Sequence, residues 1–487
     1  MPGKTDRHIT SWSAAGRDRT FLGLAVIVVL SLFAGIVSNY YFLAGIPLVV
    51  MLGYLTLVDF RQVFYLLLFV IPFSTEVYLP NGFGTDLPTE PLMVLLMGVF
   101  LLFAFGRGHK LDGGFLTHPI TLILLFHILW MVATTITSSF VFVSAKFILA
   151  KLWYVFTFFF LAGYLLKDEV DVRKMIWIIF IPLAIAVMYV LVRHAGYGFS
   201  FKDVNRVMNP FFRNHVNYAC LLALFFPYLW FARGWYRRWS ATWWLLNFGI
   251  VLLLAGIQFS YTRAAYVALF IAAGAYLVVR LRLVKVALLA AFLILAAGAV
   301  FVTQKYRYMA FEPEYKKTVT HYNFDNLIEA TYKGEDISTM ERVYRWIAGM
   351  QMNEARPWMG FGPGNFYNNY RSYTVSSFET YVSDNPERSG IHSYYLMTLV
   401  EQGFPGLFLF LALCFAALIK GEQVYHRTKS VGRRRIVMMA MLSFIIIDAL
   451  LLINDMVETD KVGPFFFMNM ALILNADLAN RAELADR

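Results

Sequence analysis

The chain has 487 residues, of which 59% are hydrophobic and only 15% charged, and its mean hydropathy is +0.60. A soluble domain carries roughly a quarter charged residues, so a water-soluble globular class is excluded. The net charge of +11 comes from 42 Lys and Arg against 31 Asp and Glu, and most of the cations fall where membrane topology accounts for them. No nucleic-acid partner is therefore expected. Basic clusters such as Arg233, Arg237 and Arg238, or Arg433 to Arg435, read as anchors on anionic membrane lipids. The two cysteines, Cys220 and Cys414, lie in apolar stretches, which argues against a disulfide framework or a thiolate metal site.

Residues 1–20 form a polar, basic tail. The apolar run 21–38 follows; it is longer than a signal-peptide core, lacks a small-residue cleavage site and reads as an uncleaved first span. Further apolar stretches occupy 41–58, 62–73, 91–106, 119–136, 147–166, 174–194, 215–232, 243–259, 264–280, 284–303, 393–419, 436–456 and 462–477. About 20 residues cross a bilayer as a helix. The expected fold class is an all-α integral membrane protein, a polytopic bundle of about twelve to fourteen transmembrane helices with one large extracytoplasmic loop containing short helices. With the N-terminus inside, alternation places the Lys/Arg-rich loops in the cytoplasm, including Arg61 between the second and third spans. Loop 74–90 then lies outside; it has Glu76, Asp86 and Glu90 but no Lys or Arg. The expected organisation is a cytoplasmic tail 1–20, spans within 21–303, a periplasmic loop 304–391, three spans within 392–477 and a cytoplasmic tail 478–487.

Loop 304–391 is too long for a structureless connection, so a small folded cap is expected. Within it, Ser338-Thr339-Met340-Glu341 reads as a capping box opening a helix from about Thr339 to Asn353. Pro357 forbids continuation past Arg356. Val343, Trp346, Ile347 and Met350 form an apolar stripe flanked by Arg342 and Arg345. Such a helix either lies on the outer leaflet or aims Arg342 into a cavity. Gly360, Gly362 and Gly364 alternate after it, but no Lys-Ser/Thr ending follows, so turn chemistry alone explains them.

Four residues stand where the positive-inside rule disfavours cations. Arg213 and Arg263 fall at outward helix ends, Arg342 lies in the large loop and His392 ends it. Cations gathered on an outer face imply an anion there, and a lipid-linked pyrophosphate would supply one. Arginine suits it, since the planar guanidinium offers paired donors. His392 can take a proton from a sugar hydroxyl near neutral pH. The outer acidic residues have no metal-ligand spacing, so no metal and no cofactor are expected.

The stretch Glu341-Arg342…Trp346…Pro357…Gly360-x-Gly362-x-Gly364-x-Phe366, then His392-Ser393, nine residues and Gly403, resembles the O-antigen ligase/polymerase (Wzy-C) superfamily. Ser260-Tyr261-Thr262-Arg263 and the Asn209-Pro210…Asn217…Ala219 region resemble its earlier half. The likeness covers roughly residues 200–420. It implies metal-independent, inverting transfer of a glycan from undecaprenyl pyrophosphate at the periplasmic face of the bacterial inner membrane. Arg213, Arg263 and Arg342 would cradle the pyrophosphate, and His392 would be the base. The implied acceptors are lipid A-core, with ligation first, a growing polysaccharide, or a protein hydroxyl. A lipid or polysaccharide transporter is the rival class. It would place charges near span centres, where Asp448 is the main exception read here.

Overall fold

The computed structural model describes residues 14–38, 40, 43, 45–78, 84–106, 112–313, 318, 336–385 and 388–485. It is 79% helical, which bears out the all-α class. The chain divides into two compact units, residues 1–66 and 67–487. The first holds α1 (Ala14–Ser38) and most of α2 (Ile46–Val70). The interruption between the stretches expected at 41–58 and 62–73 falls at Asp59 and not at Arg61. The two stretches join end to end in α2, which kinks at Asp59 (φ −150°, ψ 80°). The sharp local change of backbone direction looks, in sequence, like a polar interruption.

The second unit contains α3 (Thr89–Phe105), α4 (Pro119–Ile136), α5 (Val141–Leu165), α6 (Glu169–Ala195), α7 (His215–Ala232), α8 (Ala241–Gln258), α9 (Arg263–Arg280) and α10 (Val284–Thr303). After the large loop, whose main helix is α11 (Ile337–Ala355), come α12 (Tyr394–Arg427), α13 (Val431–Leu450) and α14 (Gly463–Ala485). Nine helices among the described residues are long and apolar enough to cross a membrane. Helices α7, α13 and α14 form the buried centre, with Leu221, Phe225, Met439, Phe444, Phe465 and Leu474 inaccessible. Helix α10 instead exposes Leu289, Phe292, Leu293 and Ile294, as a lipid-facing helix does. Two strands, β1 (Thr75–Tyr78) and β2 (Gly84–Leu87), form a short antiparallel hairpin that the all-α reading did not anticipate.

The large loop folds as a small cap. Tyr344, Ile347, Ala348 and Met352 of α11 pack with Phe361, Phe366, Tyr370, Phe378 and Ile391, and with Val400 of α12. The helix starts two residues earlier than the capping box implies. Asp336, not Ser338, caps it, accepting from the Thr339 amide at 3.2 Å. Glu341 turns inward to accept from Ser383 at 2.6 Å and from Thr380. The buried stripe is accordingly rotated toward Tyr344, Ala348 and Met352, while Val343, Trp346 and Met350 are only partly covered. The amphipathic face is spent on the cap's own core.

The cap is seated in a break of α12. Gly403 is non-helical there (φ 69°, ψ −174°). The exposed backbone bonds the loop: the Phe361 amide donates to the Val400 carbonyl at 3.1 Å, Gly362 to Glu401 at 2.9 Å, and Phe404 to Pro357 at 2.8 Å. A Cβ on Gly403 would lie 2.2 Å from the Trp358 carbonyl oxygen. Its backbone region is open essentially to glycine alone. Gly403→Ala should therefore destabilise the protein by about 3 kcal/mol or more, read as a lower unfolding temperature in detergent; an unchanged midpoint would contradict this seating.

Candidate functional site

Helix α11 places His392 through two contacts. Trp346 Nε1 donates to the Ile391 carbonyl at 3.0 Å, and Arg345 reaches the Gly390 carbonyl at 3.4 Å. Arg345 is itself held by Glu341 at 3.3 Å, both being buried. Ser393 then caps α12, accepting from the Leu396 amide at 3.4 Å. His392 sits just before this helix with a positive φ of 57°. A side-chain-bearing residue seldom adopts that backbone unless its surroundings impose it.

Around the imidazole lie the cations expected from sequence, and others. Arg342 and Arg345 both act on His392, and Arg263 acts on Arg342. Arg263 pairs with the capping carboxylate of Asp336 at 3.3 Å. Arg342 bonds Ser338 of its own helix at 3.1 Å and no carboxylate among the described residues. The buried Nε atoms of Arg342 and Arg345 have no hydrogen-bond partner among the described residues. Unused donors on crowded guanidinium groups mark a place for an anion. Helices α9 and α12 both begin here, and α9 has no side-chain cap. Their first-turn amides add positive potential.

The same crowding shifts protonation. Burial lowers the Arg342 guanidinium from its ordinary value, Asp336 opposes the shift, and Arg263 and Arg345 add to it. Burial, then the charges of Arg342 and Arg345, lowers His392 to about 3. The imidazole is therefore neutral throughout the physiological range. Asp455 Oδ1 stands 3.7 Å from His392 Nδ1, beyond hydrogen-bonding reach. Burial pushes Asp455 up from the usual carboxylate value.

The structure thus brings together His392, Arg263 and Arg342, and adds Arg345, Asp455 and His215. His215 starts α7, bonds Asn205 through Nδ1 at 2.7 Å, and lies in the field of Arg342 and Arg263. Arg213 is placed differently: its half-exposed guanidinium pairs with Glu76 of the hairpin at 3.4 Å. The glycines serve the cap. Gly360, Gly362 and Gly364 all have positive φ, and the amides of Gly364 and Phe366 donate to the Glu401 carboxylate at 2.8 and 3.0 Å. Sequence reasoning missed Asp455 and Lys151. A lysine inside the apolar run of α5 was the available signal, and Lys151 corrects the reading that Asp448 is the main charge within the spans. Among the described residues no group of three His, Cys, Asp or Glu side chains is arranged to hold a metal ion.

Residues 248–411 match the Wzy_C family model, O-Antigen ligase. The resemblance read from the motifs is thereby borne out over this segment. The matched segment runs from within α8 into α12, taking in Arg263, Arg342, Trp346, the glycine-rich turn, His392 and Gly403. Arg213, Lys151 and Asp455 fall outside it. It supports a glycan-transfer or polymerase-type function in a multi-pass membrane protein. The search of curated proteins finds no match.

The protonation of His392 is directly measurable. Carbethoxylation attacks only neutral imidazole, and peptide mass mapping reads it at one residue. His392 should react with little loss of rate as pH falls from 7 to 5, because its titration is depressed to about 3. Arg342→Gln removes one positive neighbour and should move the midpoint upward, toward the ordinary histidine range of about 6.5. A wild-type midpoint already near that range would contradict the arrangement.

Proposed function

We propose that the protein transfers a glycan from undecaprenyl pyrophosphate to an acceptor hydroxyl at the periplasmic face of the inner membrane, with lipid A-core as the acceptor. The observation that carries this is the gathering of Arg342 and Arg345, whose buried Nε atoms have no hydrogen-bond partner among the described residues, around a neutral histidine, with Arg263 beside Arg342. The guanidinium groups would stabilise the leaving pyrophosphate, whose charge grows as the glycosyl bond breaks. His392 would take the proton of the acceptor hydroxyl as it attacks the anomeric carbon. Attack opposite the leaving group inverts that carbon. Arg213 joins the cradle in this reading by leaving Glu76 for the donor.

A second observation supports a lipid-borne donor. An apolar cavity of about 630 Å³ lies between α7, α8, α9 and α13, lined by Phe226, Trp230, Leu254, Tyr266, Phe270 and Tyr276 among others. It begins one turn beyond Arg263 on the same helix. A pyrophosphate held by Arg263 would have its prenyl chain beside this slot.

The decisive experiment incubates purified protein with a lipid-pyrophosphate glycan and lipid A-core, a second lipid-linked repeat or a protein, and identifies products by mass. Transfer to lipid A-core is expected. Transfer to the lipid-linked repeat alone would make the protein a polymerase, and no transfer with any acceptor would defeat the reading. His392→Ala should lower turnover by on the order of 10²–10⁴ while donor still binds. Chelators should have no effect. The pH response follows from the sign of the shift: only the neutral base works, so activity is lost as pH falls through the pKa. In the free enzyme that pKa is about 3, so kcat/KM should stay flat well below pH 6. A bound pyrophosphate offsets Arg342 and Arg345 and raises the pKa, so the acid limb of kcat should lie at higher pH than that of kcat/KM.

Two substitutions test the donor. Arg263→Ala should impair donor use strongly, and Arg263→Lys should restore only part, since an ammonium lacks the planar fork. Ala273→Trp, which fills the slot, should raise KM for a long-chain donor and leave a short-chain analogue unaffected. Equal effects on both would remove the slot from donor binding.

A further inference from the structure

Lys151 lies about three turns into α5 and is only 4% exposed. A charged side chain within an apolar helix is costly and calls for a reason. It is paired with Glu458, and its Nζ donates to the Tyr394 hydroxyl at 2.6 Å. That hydroxyl in turn donates to Glu458 at 2.7 Å. The Lys151 ammonium also lies 5.2 Å from the Tyr394 ring centre and 5.7 Å from that of Phe467. Both hydrogen bonds of the Lys151 ammonium among the described residues go to one residue at the start of α12 and one residue of the loop 451–462.

Those two places are also joined by backbone. The Tyr394 amide donates to the carbonyls of Leu451 at 2.9 Å and Asn454 at 3.1 Å. Tyr394 is two residues after His392, and Asn454 immediately precedes Asp455. The packing is close: a Cβ on Gly390 would lie 2.0 Å from Asp455 Oδ2. A shift of loop 451–462 would therefore move the carboxylate that faces His392. Lys151 is far from the motifs that carry the family likeness, yet it fixes this loop from inside the bundle.

We propose that Lys151 is a positioning residue for His392, acting through Glu458 and Tyr394 on the loop that presents Asp455 to the imidazole. Asp455 then stands beside the ring at a fixed distance, and the strained backbone at His392 is kept by the clamp. The proposal rests on His392 being the base of the proposed transfer. The rival account is that Lys151 and Glu458 form a buried ion pair that only stabilises the bundle.

The test uses full-length protein in lipid nanodiscs. Removing one charge alone would leave the other buried and unpaired, so the informative variants are Lys151→Met/Glu458→Met, which is charge-free, and Tyr394→Phe, which keeps the packing. Each is measured for unfolding temperature, donor KM, kcat, and the carbethoxylation midpoint and rate of His392. Lys151→Arg is the conservative control. The proposal expects the double variant and Tyr394→Phe to unfold near the wild-type temperature. It also expects kcat to fall on the order of 10–100-fold, the scale of a small misplacement, with donor KM within about two-fold. The His392 midpoint should shift, and Lys151→Arg should retain most activity. Wild-type kcat and an unshifted His392 in a stable variant would overturn it. So would a loss of kcat that follows unfolding temperature alone. If the wild type transfers no glycan, the proposed function fails, while the His392 midpoint still decides whether the clamp positions the imidazole.

Discussion

The candidate site depends on how a polar cap can be joined to an apolar bundle. The join is the Glu401 carboxylate. It is buried in α12 and accepts the amides of Gly364 and Phe366. Next to it, the break at Gly403 releases backbone groups that the loop 357–362 takes up. Non-helical backbone at a membrane-spanning helix is tolerated only where protein satisfies it, and here the cap does so. Ile391 and Val400 are part of the cap's core as well as of the α12 approach. The position of Arg342 and Arg345 relative to His392 is therefore a consequence of packing and not of a flexible loop.

That fixed geometry has an electrostatic cost. Three guanidinium groups share one region, where Asp336 pairs with Arg263 and Glu341 with Arg345. Like charges held together in a partly dry site raise the energy of the empty state, and a bound anion lowers it. The buried donors without partners on Arg342 and Arg345 point the same way. A site arranged so needs little reorganisation when negative charge develops, which is the condition for electrostatic stabilisation to be effective.

Much of this was legible in sequence. Apolar length alone located nearly every long helix, because the bilayer sets that length. Arg263, Arg342 and His392 were visible as cations on the wrong side, and the fold gathers them. Arg213 shared that signature, yet its partner is Glu76, from a hairpin whose pairing no helical periodicity could reveal. The α11 stripe was misphased because its cap is Asp336, and because Arg345 is buried by its pairing with Glu341. Lys151 and Asp455 were hidden for a different reason. Their partners are Glu458 and the His392–Tyr394 segment, and only the fold sets them side by side.

The protonation of His392 also bears on the order of events in the proposed transfer. A base lowered to about 3 is neutral but weak. Its weakness comes from burial and from the arginines that would hold the donor. Pyrophosphate binding offsets that field, so the imidazole gains basicity only once the leaving group is in place. An acceptor hydroxyl arriving first would meet a poor base and no anomeric carbon. Donor-first order then requires no moving gate; it follows from one set of guanidinium groups serving both the leaving group and the acidity of the histidine. Water entering before the acceptor would meet the same armed base.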